Sequence, residues 1–121
     1  MSISEDKEQI ALVNWLKINK FLFFSVPNGG TRNQREAQLL KKTGLVAGVS
    51  DLVIFLTNHI LFLELKVRPK VLKSGKLSYT NSKVSDEQKI FLARARSYDY
   101  ALSEVAYGYE DAIEIIERLN T

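Results

Sequence analysis

The sequence predicts one mixed α/β domain in which a sheet is layered against helices. Three observations carry that expectation. The chain has 121 residues, enough for one hydrophobic core and too few for two. Its apolar pattern switches between helix-like and strand-like segments in the order α-β-α-β-β-α-β-α, which suits a small layered sandwich. The segment 48–66, GVSDLVIFLTNHILFLELK, holds two β-branched and aromatic runs around Thr57-Asn58-His59, the mark of a hairpin.

Each element follows from local chemistry. Residues 4–19 read as an amphipathic helix. Ser4 is a good N-cap, and Glu5 and Asp6 suit the positive end of the helix dipole. Ile10, Val13, Leu16 and the stem of Lys17 share one stripe by their spacing. FLFFSV at 21–26 reads as a short strand, ended by the turn Pro27-Asn28-Gly29-Gly30. Residues 33–43 form a second helix closed by Gly44. In the hairpin that follows, a loop of about two or three residues sets Asp51 opposite roughly residue 65 or 66. Residues 68–83 are rich in Lys, Ser and Gly and read as one long loop. Ser85 caps a third helix, with Gln88 as its capping-box partner. Residues 100–108 give the last strand and residues 110–120 a C-terminal amphipathic helix. Trp15 and the FLFF run belong in the core, and His59 in the hairpin turn at the surface.

Composition excludes several classes of protein. Without cysteine there are no disulfides and no thiolate metal sites. The start, MSISEDKEQ, is acidic and polar, unlike the basic and then apolar start of a secretory signal. The longest apolar runs, VIFL and ILFL, are far too short to cross a bilayer, so no membrane partner is expected. The net charge is +3, and its distribution matters more than its size. Lys66, Arg68, Lys70, Lys73, Lys76 and Lys83 share one segment, and Lys17, Lys20, Arg32, Arg35, Lys41 and Lys42 form a second basic group. Acidic residues gather at 5–8 and 104–117. Such a domain presents one cationic face, suited to a polyanion.

Three charges break the apolar hairpin at its open end: Asp51, Glu64 and Lys66. Side chains alternate along a strand, so Glu64 and Lys66 share a face and Asp51 meets them across the pair. Two carboxylates with an adjacent lysine suit a divalent cation that hydrolyses phosphodiesters. Mg²⁺ takes oxygen ligands and keeps several waters, so one Asp, one Glu and a substrate phosphate can suffice. Lys66 can orient the attacking water or offset developing charge. The plainer alternative is a set of solvated strand ends, since a D…ExK pattern also arises by chance.

Five pieces in order raise the chemical reading: KEQIAL around Glu8, PNGGTRN at 27–33, GVSD at 48–51, ELK at 64–66 and SDEQ at 85–88. Together they resemble the PD-(D/E)XK nuclease superfamily, and more narrowly the VRR-NUC family in its short, stand-alone, phage-type members. The resemblance runs over residues 5–118. It implies a restriction-endonuclease-like central mixed sheet flanked by helices. It also implies Mg²⁺- or Mn²⁺-dependent hydrolysis of DNA, with Asp51, Glu64, Glu8 and the Leu65 backbone carbonyl on the metal. Glu5 is the rival for the place of Glu8, and Lys66 and Gln88 complete the catalytic set. Asn28, Arg32 and Asn33, with Lys70, Lys73 and Lys76 of the basic loop, are the implied DNA contacts. Branched DNA such as a four-way junction, a homodimer and the cytoplasm of a phage or its bacterial host complete what the resemblance implies. Ser50 departs from it, standing where the family has proline, and the loop at 68–83 is longer than its compact versions. A fold kept for binding DNA without cutting it, or a structural domain whose charges are incidental, are the rival readings.

Overall fold

The computed structural model describes residues 4–27 and 33–121 of the chain. The turn Asn28 to Arg32, with the two DNA contacts expected there, lies outside the described residues. Ten elements follow one another: α1 (Glu5–Ile18), β1 (Phe23–Ser25), α2 (Gln34–Lys42), β2 (Leu52–Phe55), β3 (Ile60–Lys66), β4 (Lys70–Val71), β5 (Leu77–Ser78), α3 (Asp86–Arg96), β6 (Ala101–Tyr107) and α4 (Tyr109–Leu119).

The main sheet runs β1-β2-β3-β6. Its first three strands are antiparallel neighbours, and β6 adds to β3 in parallel. A parallel neighbour needs a crossover, and the segment carrying β4, β5 and α3 supplies it. The sheet is therefore mixed and flanked by helices, as the sequence predicts.

Strand alternation sorts the sheet into two unlike faces. Leu52, Ile54, Leu61, Leu63 and Leu65 point one way and join Leu12 and Leu16 of α1 with Ala112, Ile115 and Ile116 of α4 in the main core. The opposite face meets α3. There Phe62 sits edge-on to Phe91 with ring centroids 5.5 Å apart, and Ser103 Oγ donates to the Leu92 carbonyl at 2.7 Å. One face of β3 thus builds the core, and the other carries Glu64 and Lys66.

Several sequence expectations need correction. The buried stripe of α1 is Glu8, Leu12 and Leu16, at intervals of four, while Ile10 is 60% exposed. A glutamate in an apolar stripe hides that stripe from a hydrophobicity pattern. The first strand shrinks to Phe23–Ser25 at the sheet edge, so Phe21 and Phe23 pack on the core while Leu22 and Phe24 stay exposed. The hairpin turn is as short as expected: Phe55 pairs with Ile60, and the Leu56 N–H donates to the His59 carbonyl at 2.8 Å, which leaves Thr57 and Asn58 at the tip. Residues 68–83 are not one open loop: β4 and β5 pair within them as a small hairpin. His59 is half-buried rather than fully at the surface. Among the described residues no helix is long and apolar enough to cross a membrane.

The two-faced sheet makes a direct prediction. Leu61 is fully buried between β3 and the α1–α4 layer. Leu61→Ala should cost about 2–5 kcal/mol of unfolding free energy in urea denaturation, through lost burial and the cavity left behind.

Candidate active site

The site lies where β2 stops and β3 continues. Leu52 pairs with Leu63, so the same register sets Asp51 directly across from Glu64, one or two residues short of the expected partner. Residues directly opposite in an antiparallel pair share a face, which brings the two carboxylates together. Beyond Leu52 the ladder has no further backbone partner on β2, and the Asp51 side chain takes that role. Its Oδ2 accepts the Leu65 N–H at 2.8 Å. A strand residue turns its N–H and C=O to the same neighbour, so the Leu65 carbonyl also faces the Asp51 side.

Glu64 is 1% exposed. Its Oε2 accepts from Gln88 Nε2 at 2.6 Å and lies 3.9 Å from Lys66 Nζ. Its Oε1 is buried with no hydrogen-bond partner. Gln88 performs both tasks the sequence offered it. Its carbonyl oxygen accepts the Ser85 N–H at 2.9 Å in the capping box that starts α3, and its amide N–H group holds Glu64.

Two small residues make this approach possible. Gly48 has φ +81°, and a Cβ there would overlap the Glu87 carbonyl group and the Gln88 nitrogen. The backbone before β2 thus runs flush against the first turn of α3, which is why glycine precedes the acid. Ser50 is fully buried, and its hydroxyl donates to the Leu52 carbonyl at 3.2 Å. A side-chain hydrogen bond fastens the bend where the family pattern has proline.

The helix-borne acids separate. Glu8 is buried and turned to Arg68, whose Nε is 3.2 Å from Oε2 and whose Nη2 is 3.4 Å from Oε1. Glu5 is exposed, and it feels the charges of Asp51, Lys66 and its neighbour Asp6. Partial desolvation and the Asp51 charge raise the Glu5 carboxyl above its ordinary value, with Lys66 opposing. Burial pushes the Glu64 carboxyl up to about 8, and the neighbouring Asp51 carboxylate pushes the same way. Lys66 opposes that rise and Glu5 adds to it. The four charged groups Glu5, Asp51, Glu64 and Lys66 therefore form one electrostatic unit, and Glu8 pairs instead with Arg68.

The expected DNA contacts are more dispersed. Asn33 caps α2, its Oδ1 accepting the Glu36 N–H at 2.8 Å. Lys70 lies on β4 opposite Ser78, and Lys73 and Lys76 lie in the turn that joins β4 to β5. All three lysines are exposed. Their hairpin leaves β3 at the Lys66 end, where Ser82 Oγ donates to the Val67 carbonyl at 2.8 Å and fastens the returning chain. An apolar cavity of about 510 Å³ lies elsewhere, lined by Phe62, Ile90, Phe91 and Tyr98, and includes neither Asp51 nor Glu64.

Among the described residues no group of three His, Cys, Asp or Glu side chains closes into a ready metal cage. The donor set still fits a hard divalent cation. Two facing carboxylates, one with an unpartnered buried oxygen, and a carbonyl on the same side supply oxygen ligands, and water and phosphate can fill the rest.

Comparison with known proteins agrees with this architecture. No family model matches the chain, and no curated protein does. Among solved structures, a chain described as a VRR_NUC domain protein superposes with a TM-score of 0.73 at 24% identity, covering 98% of this chain and 88% of that one. The protein has the VRR-NUC fold, a restriction-endonuclease-like arrangement of mixed sheet and flanking helices.

The raised Glu64 carboxyl gives stability a defined pH dependence. The unfolded chain releases this proton near pH 4.5, whereas the folded protein holds it to about pH 8. Stability from the retained proton is full below the lower value and is lost as pH rises through the upper one. The metal-free protein should melt at a higher temperature at pH 5 than at pH 8, and Glu64→Gln should shrink that difference. Equal pH dependence in both proteins would contradict the assignment.

Proposed function

We propose that this protein is a divalent-metal-dependent nuclease that hydrolyses DNA phosphodiester bonds. One observation carries the reading: Glu64 is buried with an unpartnered oxygen directly across from Asp51, and Lys66 lies beside it. Like charges held together in a desolvated place need a proton or a cation between them. The likeness of the fold to that of a VRR_NUC domain protein supports the reading.

Asp51, Glu64 and the Leu65 carbonyl would hold Mg²⁺ or Mn²⁺, with Glu5 as the helix-borne acid coupled to Asp51 by charge. Once bound, the ion lowers the pKa of a water and offsets charge on the phosphate. Gln88 fixes the orientation of Glu64 through its Oε2. The Lys66 ammonium, within reach of Glu64, orients the attacking water and stabilises the charge that develops on the phosphate oxygens. Lys70, Lys73 and Lys76 supply phosphate contacts from the hairpin beside the site, a term that salt weakens. Asn28 and Arg32 are assigned to DNA by the resemblance alone, and Asn33 acts first as the cap of α2. Branched DNA as substrate and a homodimer as the working unit also rest on the resemblance, with a two-fold pair suiting paired cuts across a junction.

Cleavage assays on branched and linear DNA with Mg²⁺, Mn²⁺ or EDTA test the reading. Cutting should require the metal, favour branched DNA, and fall by roughly 10²–10³-fold in Lys66→Ala and in Asp51→Ala. Metal-independent binding without cutting would instead favour a DNA-binding module, and neither activity would favour a structural domain.

A further inference from the structure

Glu8 is a fully buried carboxylate in the apolar stripe of α1, with Leu12 and Leu16 as the next two members. An ionised group in that position is tolerated only with a close, well-oriented partner. Arg68 provides one as a two-pronged fork, through Nε at 3.2 Å and Nη2 at 3.4 Å. The guanidinium is held from its other sides as well. Its Nη2 is 3.2 Å from Glu110 Oε1, and its carbon lies 5.4 Å from the centre of the Tyr109 ring. Gly108 roofs the pair. It has φ +95°, and a Cβ there would overlap both Glu8 Oε2 and the Arg68 side chain. Its N–H donates to the Lys66 carbonyl at 2.9 Å.

The cluster therefore joins three elements at one point: the first turns of α1, the end of β3 and the start of α4. Its members lie close along the chain to two residues of the cation site. Glu5 is one helical turn before Glu8, and Lys66 is two residues before Arg68. An ion pair that buries its carboxylate is a weak route to stability, because apolar side chains of similar size often serve as well. It is a strong way to fix orientation, because a fork and two carboxylates accept few geometries.

We propose that Glu8 and Arg68 are positioning residues, an ion pair with a buried carboxylate and an exposed guanidinium that seats Glu5 and Lys66 around the cation. The inference rests on the nuclease reading and goes beyond it by giving Glu8 a role away from the metal. The pair sets the rotation of the first turn of α1, and so the direction in which Glu5 faces. Through Arg68 and the Gly108 N–H it also holds the strand end from which Lys66 projects.

The test replaces the pair with apolar side chains, Glu8→Leu with Arg68→Met, and uses Arg68→Lys as a second variant that keeps the charge but loses the fork. Thermal melting, Mn²⁺ affinity by calorimetry and DNA cleavage are read for each. The double variant should melt near the wild-type temperature, bind Mn²⁺ about ten-fold more weakly and lose about ten-fold or more in kcat, with KM for DNA little changed. Arg68→Lys should fall between the two. Wild-type Mn²⁺ affinity and kcat in the folded double variant would overturn the proposal and leave the pair a packing device. If the double variant does not fold, folded Arg68→Lys decides: weakened Mn²⁺ binding supports the proposal and unchanged binding overturns it. A wild type that neither binds Mn²⁺ nor cuts would overturn the nuclease reading itself, and this inference with it. The wild-type arm thus separates that failure from a failure of the pair alone.

Discussion

Two carboxylates held against each other in a desolvated corner are the constraint on which the rest of this structure depends. Asp51 and Glu64 meet because β2 and β3 pair in one register, and that register is set by the leucines on the opposite face. A slip of one residue would turn the leucines out of the core and the acids into it. The hydrophobic core and the site are thus two readings of a single strand pairing. Folding cannot satisfy one and miss the other.

The surrounding residues make that corner stable enough to exist. The Leu65 N–H binds Asp51, and the Gln88 amide binds Glu64, so each carboxylate gains a donor on one oxygen. The donor from Gln88 depends on where α3 begins, which its own capping box with Ser85 fixes. Gly48 then allows the chain before β2 to lie against that first turn, and Ser50 fastens the bend between them. What is left is one buried Glu64 oxygen without a partner, on a residue directly across from Asp51. The fold keeps this energetic cost, which is more informative about function than any satisfied bond.

Much of this was legible in the sequence because it depends on local chemistry. Alternating apolar runs gave the hairpin, caps gave the helix starts, and spacing gave the meeting of Asp51 with Glu64 and Lys66. The failures share a cause: tertiary contacts override local pattern. Ile10 looks like a core residue by spacing, yet the buried position belongs to Glu8, because Arg68, sixty residues away, neutralises it. Glu5, the rival acid on α1, feels the charge of Asp51. The hairpin within residues 68–83 was hidden by its lysines and serines, which read as loop although β4 and β5 pair there. Gly48 carried a signal, a glycine just before the acid, but what it accommodates is the start of α3, a neighbour that only the folded chain supplies.

The central claim is that the Asp51–Glu64 corner takes a divalent cation in place of a proton. Calorimetric titration of the metal-free protein with Mn²⁺ at pH 7, in buffers of different ionisation enthalpy, measures both at once. The account predicts saturable binding with release of up to about one proton, since the cation displaces the proton that burial keeps on Glu64. It also predicts that Glu64→Gln weakens the binding and abolishes the proton release. Absence of binding, or equal affinity and proton release in wild type and Glu64→Gln, would contradict it.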